Sequence, residues 1–168
     1  LQDRTDERPL FMTVGFYGPH PPYVGPEELF DYYYKVLPDF EPLTEEEFAS
    51  AHPFEKRFME NRKVGHETRE EMRRVRAAYY SMVEYEDGLL GEVLHAAEER
   101  LDLENTVFLY VSDHGDSLGE HGLFWKSNLR EGAVRVPMIF SWKGHGREGC
   151  KIKPPVSLID LAPTFIEL

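Results

Sequence analysis

The sequence has little cysteine, few positive charges and no long apolar run. Its 168 residues include one cysteine, Cys150, so no disulfide can form within the chain and the redox compartment stays open. Lysine and arginine number 19 against 31 aspartate and glutamate residues, and the formal net charge is −12. That charge disfavours nucleic acid or an anionic membrane as a partner, and an anion-binding pocket would need local cations or a metal. No run approaches the roughly 20 apolar residues of a membrane span.

Three short apolar runs predict strands. Apolar residues make up 41% of the chain, which is typical of a globular domain. Val107–Val111 is unbroken and rich in β-branched and aromatic residues, which is typical of a strand buried on both faces of a parallel sheet. Residues 10–17 and 137–141 are the other two runs. We expect the three strands to lie side by side.

The longest predicted helix covers residues 68–101. Its apolar residues recur at steps of three and four, and Thr68 with Glu71 fits a capping box. A helix between the strands at 10–17 and Val107–Val111 predicts a right-handed parallel crossover. The sequence therefore predicts an α/β fold with a mostly parallel sheet between helices. Residues 39–67 are polar, acidic and interrupted by proline, and they predict a surface excursion, either a lid over the site or a solvated loop without a role.

Charged residues follow the predicted strands where these end. Ligands of open α/β sheets collect beyond the carboxyl ends of the strands, and Asp113 and His114 come directly after Val107–Val111. The Asp113 carboxylate suits a hard divalent cation, whereas the His114 imidazole suits zinc or manganese better than calcium. Asp113 could equally cap the loop through backbone amides. His20 follows the strand at 10–17, and on its residues alone it is a histidine of a proline-rich turn.

The residues after the central strand resemble those of a known family. SDHGDSLGEHGLFWK at 112–126 and REGAVRVPMIFSWKG at 130–144 resemble the second signature region of the sulfatases, within the alkaline phosphatase superfamily. The version present here most resembles the choline-sulfatase and iduronate-sulfatase branches. GPHPPY at 18–23, the helix around Arg76 to Asp87 and VSLIDLAPT at 156–164 also resemble sulfatase segments. The resemblance implies that residues 1–168 are part of a single alkaline-phosphatase-like catalytic domain.

The resemblance also implies roles for the site residues. It implies a sulfuric ester hydrolase in which Asp113 and His114 are two ligands of a divalent cation, calcium or alternatively manganese. His20 would lie beside the sulfate ester. Lys126 would contact a sulfate oxygen and offset the charge that develops as the ester bond breaks. On the residues alone, Lys126 could instead pack its stem on Phe124 and Trp125 and keep its head in water.

Four further residues are expected to organise the loop. Glu120 and His121 match the family pattern Gly-Glu-His-Gly, and we expect them to support the loop rather than take part in the chemistry. We expect Arg135 to form a buried salt bridge that holds the loop, and Asp116 to act in a similar way.

Part of the sulfatase pattern is missing from the sequence. Sulfatases carry a cysteine or serine, oxidised to formylglycine, in a Cys/Ser-x-Pro/Ala-x-Arg stretch, and neither Cys150 nor any other residue matches it. The family's first pair of aspartate ligands is also absent. We therefore expect a carboxyl-side portion of a catalytic domain, partnered by the remainder of that domain with its formylglycine, and inactive alone.

Two alternatives remain beside a sulfatase acting on a small sulfated substrate. The first is a phosphonate or phosphate ester hydrolase of the same superfamily, whose metal loop can look alike. The second is a non-catalytic binding module descended from a sulfatase, which the loss of His20 or Lys126 would have favoured. The identity of the substrate and the oligomeric state are left open.

Overall fold

A computed structural model describes Thr5, residues 8–145 and residues 148–168 of the chain. Within these ranges, helices and one two-stranded sheet form the regular structure. The helices are α1 (Glu27–Val36), α2 (Glu45–Ser50), α3 (Pro53–Arg62), α4 (Arg69–Glu98), α5 (Glu131–Val134) and α6 (Leu161–Glu167). Short 3-10 helices cover Leu103–Asn105, Glu120–Gly122 and Leu158–Asp160. The strands are β1 (Val107–Val111) and β2 (Met138–Trp142). No described helix is long and apolar enough to cross a membrane.

The long helix α4 begins where the capping box predicts. The Thr68 hydroxyl accepts a hydrogen bond from the Glu71 amide, and the Glu71 carboxylate accepts one from the Thr68 amide. These bonds satisfy amides that have no partner within the helix. The prediction of this helix is confirmed, with its last turn ending at Glu98 rather than at residue 101.

The sheet differs from the predicted one in direction. β1 and β2 pair antiparallel, with Val107 opposite Trp142 and Val111 opposite Met138. Parallel neighbours need a crossover, usually a helix of several turns. The chain between β1 and β2 contains only the three-residue 3-10 helix Glu120–Gly122 and the four-residue α5, and it returns in the opposite direction. The two strands do lie side by side, and the prediction of a parallel arrangement is wrong for this pair.

The third predicted strand is not part of the sheet. Residues 10–17 have no strand assignment, and Phe11 and Tyr17 are among their exposed side chains. The ring of Phe11 instead contacts that of Phe165 on α6, with centroids 5.7 Å apart. The apolar pattern of this segment is therefore not matched by strand pairing, and the prediction of a strand here is wrong.

The buried core lies between α3, α4 and the chain that follows β1. Its most buried apolar side chains are Met59, Met72, Ala77, Ala97, Leu123, Phe124 and Ala133. A methyl group built on Gly119 would touch Met72 of α4, and one built on Gly122 would touch Met59 of α3. Both glycines have a positive φ, so these tight turns bring the chain directly against the two helices.

The segment 39–67 contains α2 and α3 and is anchored to the rest of the chain. A capping box at Thr44 begins α2. On α3, both Glu55 and Met59 are buried, although most of the segment is exposed. That this segment covers the site stays a prediction.

Candidate active site

His20 and Lys126 meet although 106 positions separate them in the sequence. The Lys126 Nζ lies 2.8 Å from the His20 Nε2. The Nδ1 of the same ring lies 2.8 Å from the Pro21 carbonyl oxygen, which can only accept, so Nδ1 carries the hydrogen. Nε2 therefore accepts a hydrogen bond from the lysine ammonium. The lysine head group is thus held by histidine, and the alternative that it extends into water is not what the structure has.

His114 lies beside this pair with its ring fixed in the same tautomer. Its Nδ1 donates to the Gly115 carbonyl oxygen at 2.8 Å, which leaves the lone pair on Nε2. Its ring centroid is 6.2 Å from that of His20. A residue that follows the segment 10–17 thus lies next to residues that follow β1. His20, His114 and Lys126 form one cluster.

Asp113 and His114 offer two donor atoms to a metal ion. The Asp113 side chain is 87% exposed, and its Oδ2 lies 3.8 Å from the His114 Nε2. Its Oδ1 accepts the His114 amide at 3.0 Å, which is the loop-capping bond that the sequence left open. A metal-binding histidine commonly donates its other ring nitrogen to a carbonyl, as His114 does. These two donors suit a divalent cation, and the described residues contain no group of three candidate ligands.

Asp116 connects the two segments that carry His20 and Lys126. Its Oδ1 accepts the amides of Leu118 and Trp125, at 2.9 and 2.8 Å. Its Oδ2 accepts the Tyr23 hydroxyl at 2.7 Å. Burial, and then the bond to Asp116, raise the pKa of Tyr23 well above its ordinary value, so the hydroxyl stays protonated and donates.

Lys126 stands on an irregular turn within residues 112–135, which we call the site loop. Trp125 and Ser127 on either side of it have positive φ angles of 61° and 71°, which are uncommon for residues with side chains. The Ser117 amide donates to the Trp125 carbonyl at 2.9 Å, and Leu123 and Phe124 just before the turn are buried. Packing and hydrogen bonds together hold a backbone that local preference would not choose.

A chain of polar contacts links the site loop to α3. The side-chain Nδ2 of Asn128 donates to the Ser117 hydroxyl at 2.9 Å, and both side chains are buried. The side-chain Oδ1 of Asn128 accepts a hydrogen bond from the Arg130 backbone amide at 3.0 Å. The Arg130 guanidinium then forms two bonds to Glu55 of α3, at 2.6 and 2.9 Å, and these lower the pKa of the Glu55 carboxyl. Two parallel bonds to one carboxylate fix distance and orientation together.

The predicted buried salt bridge of Arg135 is wrong. Arg135 pairs with Glu131 at 3.6 Å, and the two side chains are 83% and 79% exposed. Both lie at the ends of the short helix α5, so an i, i+4 surface contact is the one within reach. The partly buried pair belongs to Arg130, five positions earlier, and no local pattern in the sequence links Arg130 with Glu55.

Glu120 and His121 lie on the outer turn of the site loop. Both side chains are exposed, and His121 has a positive φ of 54°. No hydrogen bond described for them reaches the cluster of His20, His114 and Lys126. Their predicted supporting role stays a prediction.

Arg76 of α4 supports the same turn from below. Its Nε donates to the Leu118 carbonyl at 3.1 Å, and its guanidinium lies 3.2 Å from the centroid of the Phe40 ring. Burial lowers the pKa of this guanidinium. The sequence predicts only that Arg76 lies in the helix, because the periodicity of the helix does not indicate that this side chain reaches a loop carbonyl.

The two ends of the site loop touch through glycine. The Gly115 amide donates to the Ala133 carbonyl at 2.8 Å. A methyl group on Gly115 would lie 2.1 Å from the Gly132 carbonyl oxygen, so only glycine allows this approach. The close contact holds His114 next to the base of the loop.

The cluster brings three basic side chains together. It places an ammonium and two imidazoles together in a chain that is otherwise strongly acidic. In a comparison with protein families, residues 1–168 match the sulfatase family over the whole chain. This chain belongs to the sulfatase family. Family membership, together with the combination of helices and a sheet, confirms the predicted α/β class, while a parallel sheet is not confirmed.

Proteins named as sulfatases are similar along the same residues. A choline-sulfatase of Rhizobium meliloti is 36% identical over 175 residues, which cover 99% of this chain and 32% of that protein. An arylsulfatase of Clostridium perfringens is 34% identical, with 99% of this chain and 35% of that protein covered. An arylsulfatase K of Danio rerio is 43% identical over 104 residues, 62% of this chain and 20% of that protein. The sulfatase chain described here thus spans about a third or less of the length of these relatives.

Proposed function

We propose that the full-length protein containing this chain hydrolyses sulfate esters of a small substrate. The observation that carries the proposal is the 2.8 Å contact between Lys126 and His20 in a chain of the sulfatase family. The covalent nucleophile, a formylglycine, and the remaining metal ligands would come from outside these 168 residues.

Lys126 would bind an oxygen of the sulfate group. Its ammonium can donate three hydrogen bonds, and one of them goes to His20. The others can meet a sulfate oxygen whose negative charge grows as the ester bond breaks. An interaction that strengthens in the transition state raises turnover rather than binding.

His20 would act on the leaving-group side. Because its Nδ1 hydrogen is committed to the Pro21 carbonyl, Nε2 is the position at which the ring can take up a proton. It can then pass to the leaving oxygen of the ester a proton that Nε2 receives from the hydrogen-bonded Lys126 ammonium, so that an N–H bond of Lys126 breaks as the O–H bond of the leaving group forms.

Asp113 and His114 would hold a divalent cation, calcium or alternatively manganese, through Oδ2 and Nε2. When bound, this ion would act as a Lewis acid on the sulfate group. The tautomer of His114 supports this role, since its ring nitrogen with the lone pair is the one that faces Asp113.

The proposal is tested by assaying the full-length protein and the 168-residue chain side by side. The substrates are an aryl sulfate, an aryl phosphate and an aryl phosphonate, each with added calcium or manganese. We expect the full-length protein to turn over the sulfate best and the isolated chain to have no measurable turnover, because a missing nucleophile leaves only binding and electrostatics.

Other outcomes would contradict the proposal in different ways. Preference for the phosphate or phosphonate would favour an ester hydrolase of another class in the superfamily. No turnover of any ester would favour a binding module. Turnover by the isolated chain that Asp113→Ala abolishes would mean that its nucleophile lies within these 168 residues.

A further inference from the structure

We infer that Asp116 and Tyr23 form a positioning pair that sets the contact between His20 and Lys126. The inference rests on the proposed function for its effect on turnover, but the geometry behind it does not. The hydrogen bonds described for the Asp116 and Tyr23 side chains go neither to His20 and Lys126 nor to Asp113 and His114. They act through the positions of His20 and Lys126.

One carboxylate reaches both segments of the site. Asp116 Oδ2 holds the Tyr23 hydroxyl at 2.7 Å, across 93 positions of sequence. Asp116 Oδ1 holds the Trp125 amide at 2.8 Å, one residue before Lys126. A single planar group therefore fixes the distance between the chain at Tyr23 and the chain at Trp125.

The link from Tyr23 to His20 is short and stiff. Only Pro21 and Pro22 lie between them, and the ring of each proline fixes its φ angle. A shift of Tyr23 is therefore passed to His20 rather than absorbed by free backbone rotation. On the other side, Trp125 and Ser127 hold Lys126 in a turn with two positive φ angles, which depends on its hydrogen bonds.

Tyr23 is held in place by the helix beneath it. Its ring meets that of Tyr79 on α4 edge to face, with centroids 6.0 Å apart. Burial raises the pKa of Tyr79 to about 12, with the Asp116 carboxylate as a further cause. Both phenols stay protonated in neutral solution, so the bond from Tyr23 to Asp116 persists over the working pH range.

The chain contains a matched bond that does not touch the site. The Tyr33 hydroxyl of α1 donates to a carboxylate oxygen of Glu84 on α4 at 2.6 Å, at the surface. Tyr33→Phe therefore removes the same kind of bond from the same fold. It serves as the control for Tyr23→Phe.

Four variants of the full-length protein separate geometry from charge. Tyr23→Phe removes one bond, and Asp116→Ala removes all three. Asp116→Asn keeps the two bonds from backbone amides and can donate its own amide hydrogen to the Tyr23 oxygen, so it preserves the shape without the charge. Combining Asp116→Asn with Tyr23→Phe removes that reversed bond again.

Kinetics on an aryl sulfate give the first result. Since misplacement of about 1 Å can cost 100-fold in rate, we expect kcat to fall about 100-fold in Asp116→Ala and about 10-fold in Tyr23→Phe, with KM changed less than about threefold. The kcat of Asp116→Asn should stay within about threefold of the parent. The double variant Asp116→Asn with Tyr23→Phe should again have a kcat about 10-fold below the parent. Loss in Asp116→Asn as large as in Asp116→Ala would overturn the inference in favour of charge.

Ring ¹⁵N NMR of histidine-labelled protein gives the second result without any turnover. Lys126→Met removes the hydrogen bond to His20, and its spectrum therefore gives the chemical shift of the His20 Nε2 without that bond. We expect Tyr23→Phe to move the shift towards that value and Tyr33→Phe to leave it unchanged. An unchanged shift in Tyr23→Phe would overturn the inference. A protein without esterase activity that still gives the expected shifts would defeat the proposed function and leave the positioning pair standing.

Discussion

The irregular site loop contains more deeply buried side chains than the regular sheet beside it. The site loop is irregular, yet Leu123 within it is 0% exposed. β2 has regular hydrogen bonds, yet Ile139 within it is 59% exposed. Order at the candidate site therefore comes from packing against α3 and α4 and not from the strand edges. A two-stranded sheet alone buries too little to be stable, so within the described residues the loop carries more of the core than the strands.

Removing the charge of Lys126 in the site loop should have the largest effect. In the full-length protein we expect Lys126→Ala to lower kcat roughly 100- to 1,000-fold, because one donor to a developing anion is worth that much. KM should change far less. Steady-state kinetics on an aryl sulfate measure both, with Lys143→Ala just beyond β2 as the control. Equal turnover in both variants would make Lys126 a packing residue.

One side-chain truncation in the site loop and one in β2 test whether the loop is the better packed of the two. Leu123→Ala should lower the free energy of unfolding by about 3 kcal/mol, because it leaves a cavity in a fully buried position. Ile139→Ala should cost about 1 kcal/mol or less, since most of that side chain is already in water. Urea denaturation of the full-length protein gives both values. Similar losses would show that the sheet is as well packed as the loop.

The brace between α3 and the loop should contribute less than the core does. Glu55→Ala leaves the partly buried Arg130 guanidinium without its carboxylate, and we expect a loss of about 2 kcal/mol. Arg135→Ala breaks only the exposed pair with Glu131 and should cost less than about 0.5 kcal/mol. A loss in the arginine variant equal to that of Glu55→Ala would remove the distinction between the two pairs.

The same brace predicts a dependence on acid. The pKa of Glu55 in the folded chain lies below its ordinary value of 4.5, mainly because of Arg130. Its contribution is therefore complete above that value and is lost as the pH falls through the lowered pKa. The difference in unfolding free energy between the parent and Glu55→Ala should accordingly shrink below about pH 4.5.

A substitution on the exposed strand β2 should have the smallest effect on folding, but it should reduce self-association. Ile139 and Phe140 are adjacent exposed side chains of a strand whose outer edge has no partner among the described residues. We expect the isolated chain to associate through this edge. Phe140→Lys should reduce association in sedimentation velocity while changing the unfolding free energy by less than about 1 kcal/mol. Unchanged association would point to another surface.

The parts that the sequence predicts are those with local patterns. The capping box of Thr68 marks the start of α4, and the apolar run marks β1. The second strand is offset by one residue from the predicted 137–141. His20, His114 and Lys126 also lie together, although the segment before His20 forms no strand.

The parts that the sequence does not predict depend on distant partners. Whether β2 runs parallel or antiparallel to β1 is decided by how the loop folds back, and apolar runs look the same in both directions. Arg130 and Arg135 lie only five positions apart in the sequence, but it is Arg130 that pairs with Glu55. The bond between Tyr23 and Asp116 likewise joins two segments that have no shared pattern.

The contact of Gly115 with the Gly132 carbonyl limits how this protein can be diversified. A side chain at position 115 would push apart the two ends of the loop, and with them His114. Sequence libraries aimed at new ester substrates should therefore keep both glycines fixed. Variation belongs at exposed positions such as Leu129, whose side chain is 93% exposed.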